Sequence, residues 1–278
     1  MIDKTKTPIL ISMPRCGSHW VGSYIREAFK SHGVILPGTS ELMAHYEDND
    51  KPTGEMIEYF EYTRNHLNAD IFTIYHGDHL WNDINILSRP KYSTVFDWFK
   101  EFYDGYQIVL LRRKNIWRQY LSFIFHQTIR RTYLKSTTDR VDWNSIQPWH
   151  NVVGTQNVEI VKSAIEMVGA KFVHNPKWFE NFIHQVRYYE EDIVTYYTKG
   201  KYSIHNVRNL WLEDLNEELL TDWFVPDDRK KTFVMEEKIL PFPIKYETYF
   251  SKDELDKMKS KFNQVFENEF KHYGYSVD

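Results

Sequence analysis

Apolar residues fall in blocks along this chain, and the spacing within each block changes from segment to segment. Residues 8–12, "PILIS", are a short continuous apolar run, which reads as a strand buried on both faces. From Ser18 the apolar positions are Trp20, Val21, Tyr24, Ile25, Ala28 and Phe29, one face of a helix, with Gly33 as a stop. The pattern predicts a second helix over 54–67, a strand over 70–75 with His76 just past its end, and a helix over 93–103 capped by Ser93 or Thr94. A turn at Asp104-Gly105 leads into a strand over 107–111, then a helix over 115–131. Residues 175–200 read as one long helix closing near Gly200, and 209–215 as a strand. Ser251 and Glu254 have the spacing of a capping box for a last helix, whose inward face is Leu255, Met258, Phe262, Val265, Phe266 and Phe270.

Strands alternating with helices predict an α/β fold, a parallel sheet between two helical layers. No internal repeat or linker interrupts the 278 residues, so one domain is expected, with 124–200 as a helical insertion or lid. The 42% apolar content supports a substantial core, and at 17% aromatic some rings are free to line a site. A net charge of −4 gives no global field for nucleic acid. One cysteine excludes an intramolecular disulfide framework. No run is long and apolar enough for a signal peptide or a membrane span, so a soluble cytoplasmic protein is expected.

The chemistry concentrates in "ILISMPRCGSHW", Ile9 to Trp20. Ligands of parallel sheets sit at the carboxyl ends of strands, and a loop that runs straight into a helix offers free N–H groups and the positive end of a dipole. Arg15 adds a forked cation, Gly17 lets the backbone approach a ligand, and Ser18 and His19 can donate to oxygens. An ordinary strand-to-helix turn with a surface arginine is the plain alternative. The triphosphate-binding pattern GxxxxGK[ST] fails, because Gly17 is followed by Ser18 and His19 and no lysine is present. A cysteine-phosphatase loop also fails, since the position six after Cys16 is Gly22. Cys16 at a helix start has a route to thiolate character, but a backbone role is the better expectation.

The segment "PRCGSHW" resembles the 5′-phosphosulfate loop of the sulfotransferases, commonly PKSGTTW or PRSGSTW. Pro14, Gly17 and Trp20 match, Arg15 takes the basic position and Ser18 the hydroxyl, while Cys16 and His19 depart from Ser and Thr. "QIVLLRRKNIWRQYLSF" resembles the family's 3′-phosphate segment, a strand ending in Arg before a helix carrying Ser. Arg112, Arg113 and Ser122 are its counterparts. The family spacing from Arg to Ser is eight, and from Arg113 it is nine, so the choice between the two arginines stays open. Cations at a helix N-terminus oppose its dipole, which favours a bound anion there. "IFTIYHGDH" places His76 where the family carries a base after a central strand, and "LWLEDL" resembles its YEDL stretch, with Leu212 replacing a tyrosine that contacts adenine. The family's RKGxxGxW segment is absent.

The resemblance implies a P-loop-like sulfotransferase fold and the donor 3′-phosphoadenosine 5′-phosphosulfate (PAPS), with no metal. It implies cofactor contacts from Arg15, Cys16, Gly17, Ser18, His19, Trp20, Arg112, Arg113 and Ser122. Arg15 would meet the charge of the leaving phosphate, and His76 would act as the base, with His79, His19 and His126 as rivals. The acceptor is expected to be a small hydroxylated molecule or a glycan, held by the lid aromatics Trp143, Trp149, Trp178, Phe179, Tyr188 and Tyr189. A kinase-like phosphotransferase and a non-catalytic nucleotide-binding module are the alternatives.

Overall fold

A computed structural model of the chain describes residues 8–31, 33, 74–76, 107–124, 176–199, 207–225, 227–234, 246–248 and 250–277. The principal elements in chain order are β1 (Pro8–Ser12), α1 (Ser18–Ser31), β2 (Ile74–His76), β3 (Gln107–Arg112) and the helical residues 116–124, α2. These are followed by α3 (Pro176–Arg187), a π-helical segment (Tyr188–Val194), α4 (Thr195–Lys199), β4 (Val207–Trp211), α5 (Glu217–Phe224) and α6 (Lys252–Glu269). The described residues divide into two compact units, Met1–Arg113 with Arg187–Ile239 and Lys114–Val186 with Leu240–Asp278. Of the expected helices, 54–67 and 93–103 lie outside the described residues, as does most of the expected lid.

The first unit is built on a four-stranded parallel sheet in the order β2-β1-β3-β4. In β1, Ile9, Leu10 and Ile11 are fully buried, and in β3 so are Ile108 through Leu111. Continuous burial on both faces is what a parallel sheet with helices on both sides demands of its central strands. Each of these side chains contributes roughly 1.5–3 kcal/mol by leaving water. β4, at one end of this order, alternates between buried Leu210 and exposed Asn209, the pattern of a strand with less cover. α1 buries Val21, Tyr24, Ile25, Ala28 and Phe29, the face its spacing predicts. Tyr24 reaches α5, its hydroxyl donating to the Glu217 carbonyl at 3.0 Å and meeting the Thr221 hydroxyl.

The chain leaves β1 for β2 on one side, and leaves β3 for β4 on the other. Among the described strands the order therefore reverses between β1 and β3. Outside the carboxyl ends of those two strands lies the crevice in which α/β sheets hold ligands.

The second unit is helical and rich in aromatic residues. Trp117, Tyr120, Phe179, Phe182, Phe262 and Phe270 stack and tilt against one another at centroid distances of 5.2–6.5 Å. The capping box at Ser251 and Glu254 is formed, and Met258, Phe262, Phe266 and Phe270 turn inward as the periodicity requires. No helix among the described residues is long and apolar enough to cross a membrane.

Three expected boundaries are corrected. The helix expected over 175–200 is α-helical to Arg187, π-helical from Tyr188 to Val194 and α-helical again to Lys199. There the Thr195 N–H bonds the Glu190 carbonyl five residues back, and the Thr195 hydroxyl donates to the same carbonyl. The strand expected over 209–215 runs instead from Val207 to Trp211, because its pairing with β3 ends at Arg112 opposite Trp211. Leu212–Asp214 then close into a 3-10 turn. His76 is the last residue of β2 rather than the first beyond it, since it still pairs with Ser12.

Candidate anion-binding site

β1 delivers the chain at Ser12, and α1 begins at Ser18, so residues 13–17 turn the backbone from sheet to helix in five steps. Arg15 has φ of 68° and Gly17 of 79°, with Cys16 between them at negative φ. This alternation in the sign of φ is the backbone pattern that turns successive N–H groups toward one side and makes anion-binding concavities. A left-handed arginine costs roughly 1–2 kcal/mol, and such strain concentrates at functional loops. The Gly17 carbonyl caps α1 by accepting from the N–H groups of Trp20 and Val21, at 3.1 and 3.2 Å. The N–H groups of Ser18 and His19 lie in the first turn, where no intrahelical acceptor exists.

Gly17 is required for two reasons. Its φ disfavours any side chain, and a Cβ there would stand 2.7 Å from Leu212 Cδ1. The 3-10 turn after β4 thus lies directly on the loop. Gly17→Ala is expected to cost roughly 1–2 kcal/mol from the backbone alone, plus a steric part. Adding Leu212→Ala should return only the steric part, so a double-mutant cycle in denaturant should show positive coupling. Fully additive effects would contradict the packing of Leu212 on Gly17.

Cys16 is buried, and burial pushes its thiol pKa from 9.0 up to about 12. Near neutral pH this side chain is therefore a neutral, buried group. A proton held more tightly in the fold than in the unfolded chain stabilises the fold below the unfolded pKa. That stability is lost as pH rises through the window from 9.0 to about 12. Burial raises Tyr24 and Tyr189 in the same direction. Unfolding free energy should therefore fall as pH climbs above about 9, by up to about 1.4 kcal/mol per pH unit from Cys16 alone. Denaturant titrations of wild type and Cys16→Ala test this, since the variant should show the shallower decline.

On the neighbouring strand end, the two arginines have different surroundings. Arg112, the last residue of β3, is buried, with Nη1 3.1 Å from Glu190 Oε2. Its guanidinium lies 3.9 Å from the centroid of Trp211, opposite it on β4. Arg113, one residue beyond the strand, has a side chain 23% exposed. Its Nη1 donates to the Arg15 carbonyl at 3.4 Å, and its Nε lies 3.9 Å from the Glu213 carboxylate, a separation that is an ion pair but not a hydrogen bond. Arg113 thus sits directly against the loop, whereas Arg112 is held behind it.

Behind the loop, Tyr189 is fully buried, and its hydroxyl hydrogen is shared between the carbonyls of Ile11 at 3.0 Å and Leu111 at 3.1 Å. Three buried polar atoms at this edge have no hydrogen-bond partner: Ser12 Oγ, Arg112 Nε and Arg113 Nε. Buried polar groups are rarely left so, and all three stand at the carboxyl ends of β1 and β3, beside a glycine cradle. This donor set fits a bound oxyanion.

The structure thus brings Arg15, Cys16, Gly17, Ser18, His19, Trp20, Arg112 and Arg113 into one strand-end region. Trp20 is half-buried on the first turn of α1, and Ser18 is buried. The backbone of His76 pairs in register with Ser12, which places it on the same edge of the sheet. Ser122 belongs to the second unit and is buried in α2. His79, His126, Trp143 and Trp149 lie outside the described residues. Trp178, Tyr188 and Tyr189 are buried, and Phe179 packs on Tyr120 and Phe262, so these four lid aromatics serve packing. Glu190, Ser12 and Glu213 are not among the expected site residues, and Tyr189 is expected only as a lid aromatic against the acceptor. The one signal for Glu190 was an acid on the apolar face Tyr189, Ile193 and Val194, which demands a buried cation. Comparison of the chain with protein-family models, with curated proteins and with solved structures finds no match.

Proposed function

We propose that the chain is a sulfotransferase of P-loop-like fold, moving a sulfuryl group from 3′-phosphoadenosine 5′-phosphosulfate to an acceptor hydroxyl. The observation that carries the reading is the arrangement of Arg113 and the loop. A partly exposed arginine bonds the carbonyl of Arg15, inside a left-handed, glycine-containing turn at the switch point of a parallel sheet. The motif resemblance supplies the identity of the anion.

When bound, the donor supplies the sulfuryl group and a phosphate leaving group. The loop N–H groups and the first turn of α1 hold the 5′-phosphosulfate, with Ser18 and His19 at the turn. Arg15 meets the negative charge that grows on the bridging oxygen as the sulfur–oxygen bond breaks. Arg113 takes the 3′-phosphate, and Trp20 offers a face to adenine. Arg113 is preferred to Arg112 there, because Arg112 is engaged by Glu190 and Trp211. His76 accepts the proton of the attacking hydroxyl. Catalysis by positioning and fixed charge needs no metal in this scheme. The acceptor class is a small hydroxylated molecule or a glycan.

Arg15 kinetics test the reading. Because its charge matters most in the transition state, Arg15→Ala should lower kcat more than donor affinity. Arg15→Lys should recover part of the rate. Turnover is read as release of the desulfated nucleotide. A loss confined to affinity, with kcat intact at saturation, would remove Arg15 from the catalytic role.

A further inference from the structure

The π-helical segment Tyr188–Val194 directs two polar side chains at the strand ends behind the loop, and stability does not call for either arrangement. A buried ion pair such as Arg112–Glu190 is at best neutral against apolar residues of the same volume, because desolvation offsets the attraction. A π turn has poorer hydrogen bonding than the α-helix on either side, and such turns recur at functional sites. Yet this one turn ties together three strand ends. The Tyr189 hydroxyl bridges the Ile11 carbonyl of β1 and the Leu111 carbonyl of β3, across the seam where the strand order reverses. Glu190 holds Arg112 at the end of β3, and the Arg112 guanidinium lies over the ring of Trp211 at the end of β4. The next residue after Arg112 is Arg113, and the next two after Ile11 are Ser12 and the first residue of the loop. The residues held by the π turn are thus the immediate chain neighbours of the groups assigned to the anion.

We infer that Tyr189 and Glu190 are positioning residues: the π turn holds the ends of β1, β3 and β4 so that the Arg15–Gly17 loop and Arg113 meet in one geometry. Both residues act through the backbone they hold and touch no ligand. Tyr189 sets the relative placement of the two strand ends that carry the loop and Arg113. Glu190 fixes the Arg112 side chain, which keeps the following peptide, and with it Arg113, turned toward the Arg15 carbonyl. The inference rests on residues 13–17 and Arg113 forming an anion site, and it is independent of which anion binds.

Amide hydrogen exchange in the ligand-free full chain tests this without any assumption about the reaction. Two variants are compared with wild type: Tyr189→Phe, which removes one hydroxyl at constant shape, and Arg112→Met with Glu190→Leu, which replaces the ion pair by apolar volume. In both, the amides of Trp20 and Val21, which donate to the Gly17 carbonyl, should exchange roughly 10- to 100-fold faster, while those of residues 24–29, deeper in α1, should keep their wild-type rates. Turnover at saturating donor should fall in parallel, by roughly 10- to 100-fold, the usual consequence of small misplacement. Unchanged exchange at Trp20 and Val21 in Tyr189→Phe and in the double variant would overturn the inference. So would an equal acceleration at 20–21 and 24–29, which marks a general loss of stability. Failure of wild type to bind adenosine 3′,5′-bisphosphate would instead count against the sulfuryl-transfer reading, and would leave the exchange result to decide the positioning role.

Discussion

Arg112→Ala should destabilise the fold by about 3–5 kcal/mol, whereas Arg113→Ala should leave stability within about 1 kcal/mol of wild type. The difference follows from their partners. Glu190 has a side chain only 3% exposed, and without Arg112 its carboxylate is left buried and uncompensated, in addition to the lost stack on Trp211. Glu213, the partner of Arg113, is 34% exposed and 3.9 Å away, so water replaces most of what that pair contributes. Affinity should divide the opposite way. Arg113→Ala should weaken adenosine 3′,5′-bisphosphate by roughly 1.5–3 kcal/mol for each charge-assisted bond lost. It should leave adenosine 5′-phosphosulfate, which has no 3′-phosphate, nearly unaffected. Urea unfolding and calorimetric titration of the two single variants check both halves. An Arg112→Ala protein that folds normally and loses the 3′-phosphate preference would reverse the assignment.

The second large effect belongs to His76. His76→Asn should lower kcat by roughly 10²–10⁴-fold, the usual worth of a positioned base, with nucleotide affinity unchanged. Its backbone ends β2 in register with Ser12, the last residue of β1 before the loop. A neutral imidazole can take a proton and a protonated one cannot. Wild-type kcat should therefore fall at acidic pH, where an imidazole base is lost, and the residual activity of His76→Asn should lack this limb. Melting curves separate the effect from a loss of fold. A His76→Asn protein that turns over normally, beside an inactive His79→Asn, would transfer the proposed role to His79.

Much of the architecture is a local property of the chain and is legible as such. The apolar run of β1, the five inward positions of α1 and the Ser251–Glu254 box are each set by residues within one or two turns of one another. The π segment is not legible, because Tyr189, Glu190, Ile193 and Val194 are spaced by three and four and satisfy an ordinary helical face equally well. What distinguishes it is the demand made on Tyr189 and Glu190 by strand ends 78 residues and more away in sequence. The two arginines illustrate the same limit. Spacing to Ser122 leaves Arg112 and Arg113 as near equals. Only the pairing of Arg112 with Trp211, and the arrival of Glu190 behind it, commits one to the interior and leaves the other at the loop. The strand-to-helix loop is legible from the apolar run before it and the helical face after it, but the contact of Leu212 with Gly17 depends on β4 returning beside β3.

The central claim is that this strand-end site binds a nucleotide phosphorylated at both the 3′ and 5′ positions. The most direct measurement is the melting temperature of the protein with adenosine 3′,5′-bisphosphate, compared with ATP plus magnesium. At a ligand concentration one hundred times Kd, binding adds about 2.7 kcal/mol to the folded state, which raises the melting temperature by several degrees. The account predicts that rise for the bisphosphate, little or none for ATP with magnesium, and its disappearance in Arg113→Ala. A rise with ATP and magnesium alone, or no response to the bisphosphate at any concentration, would contradict it.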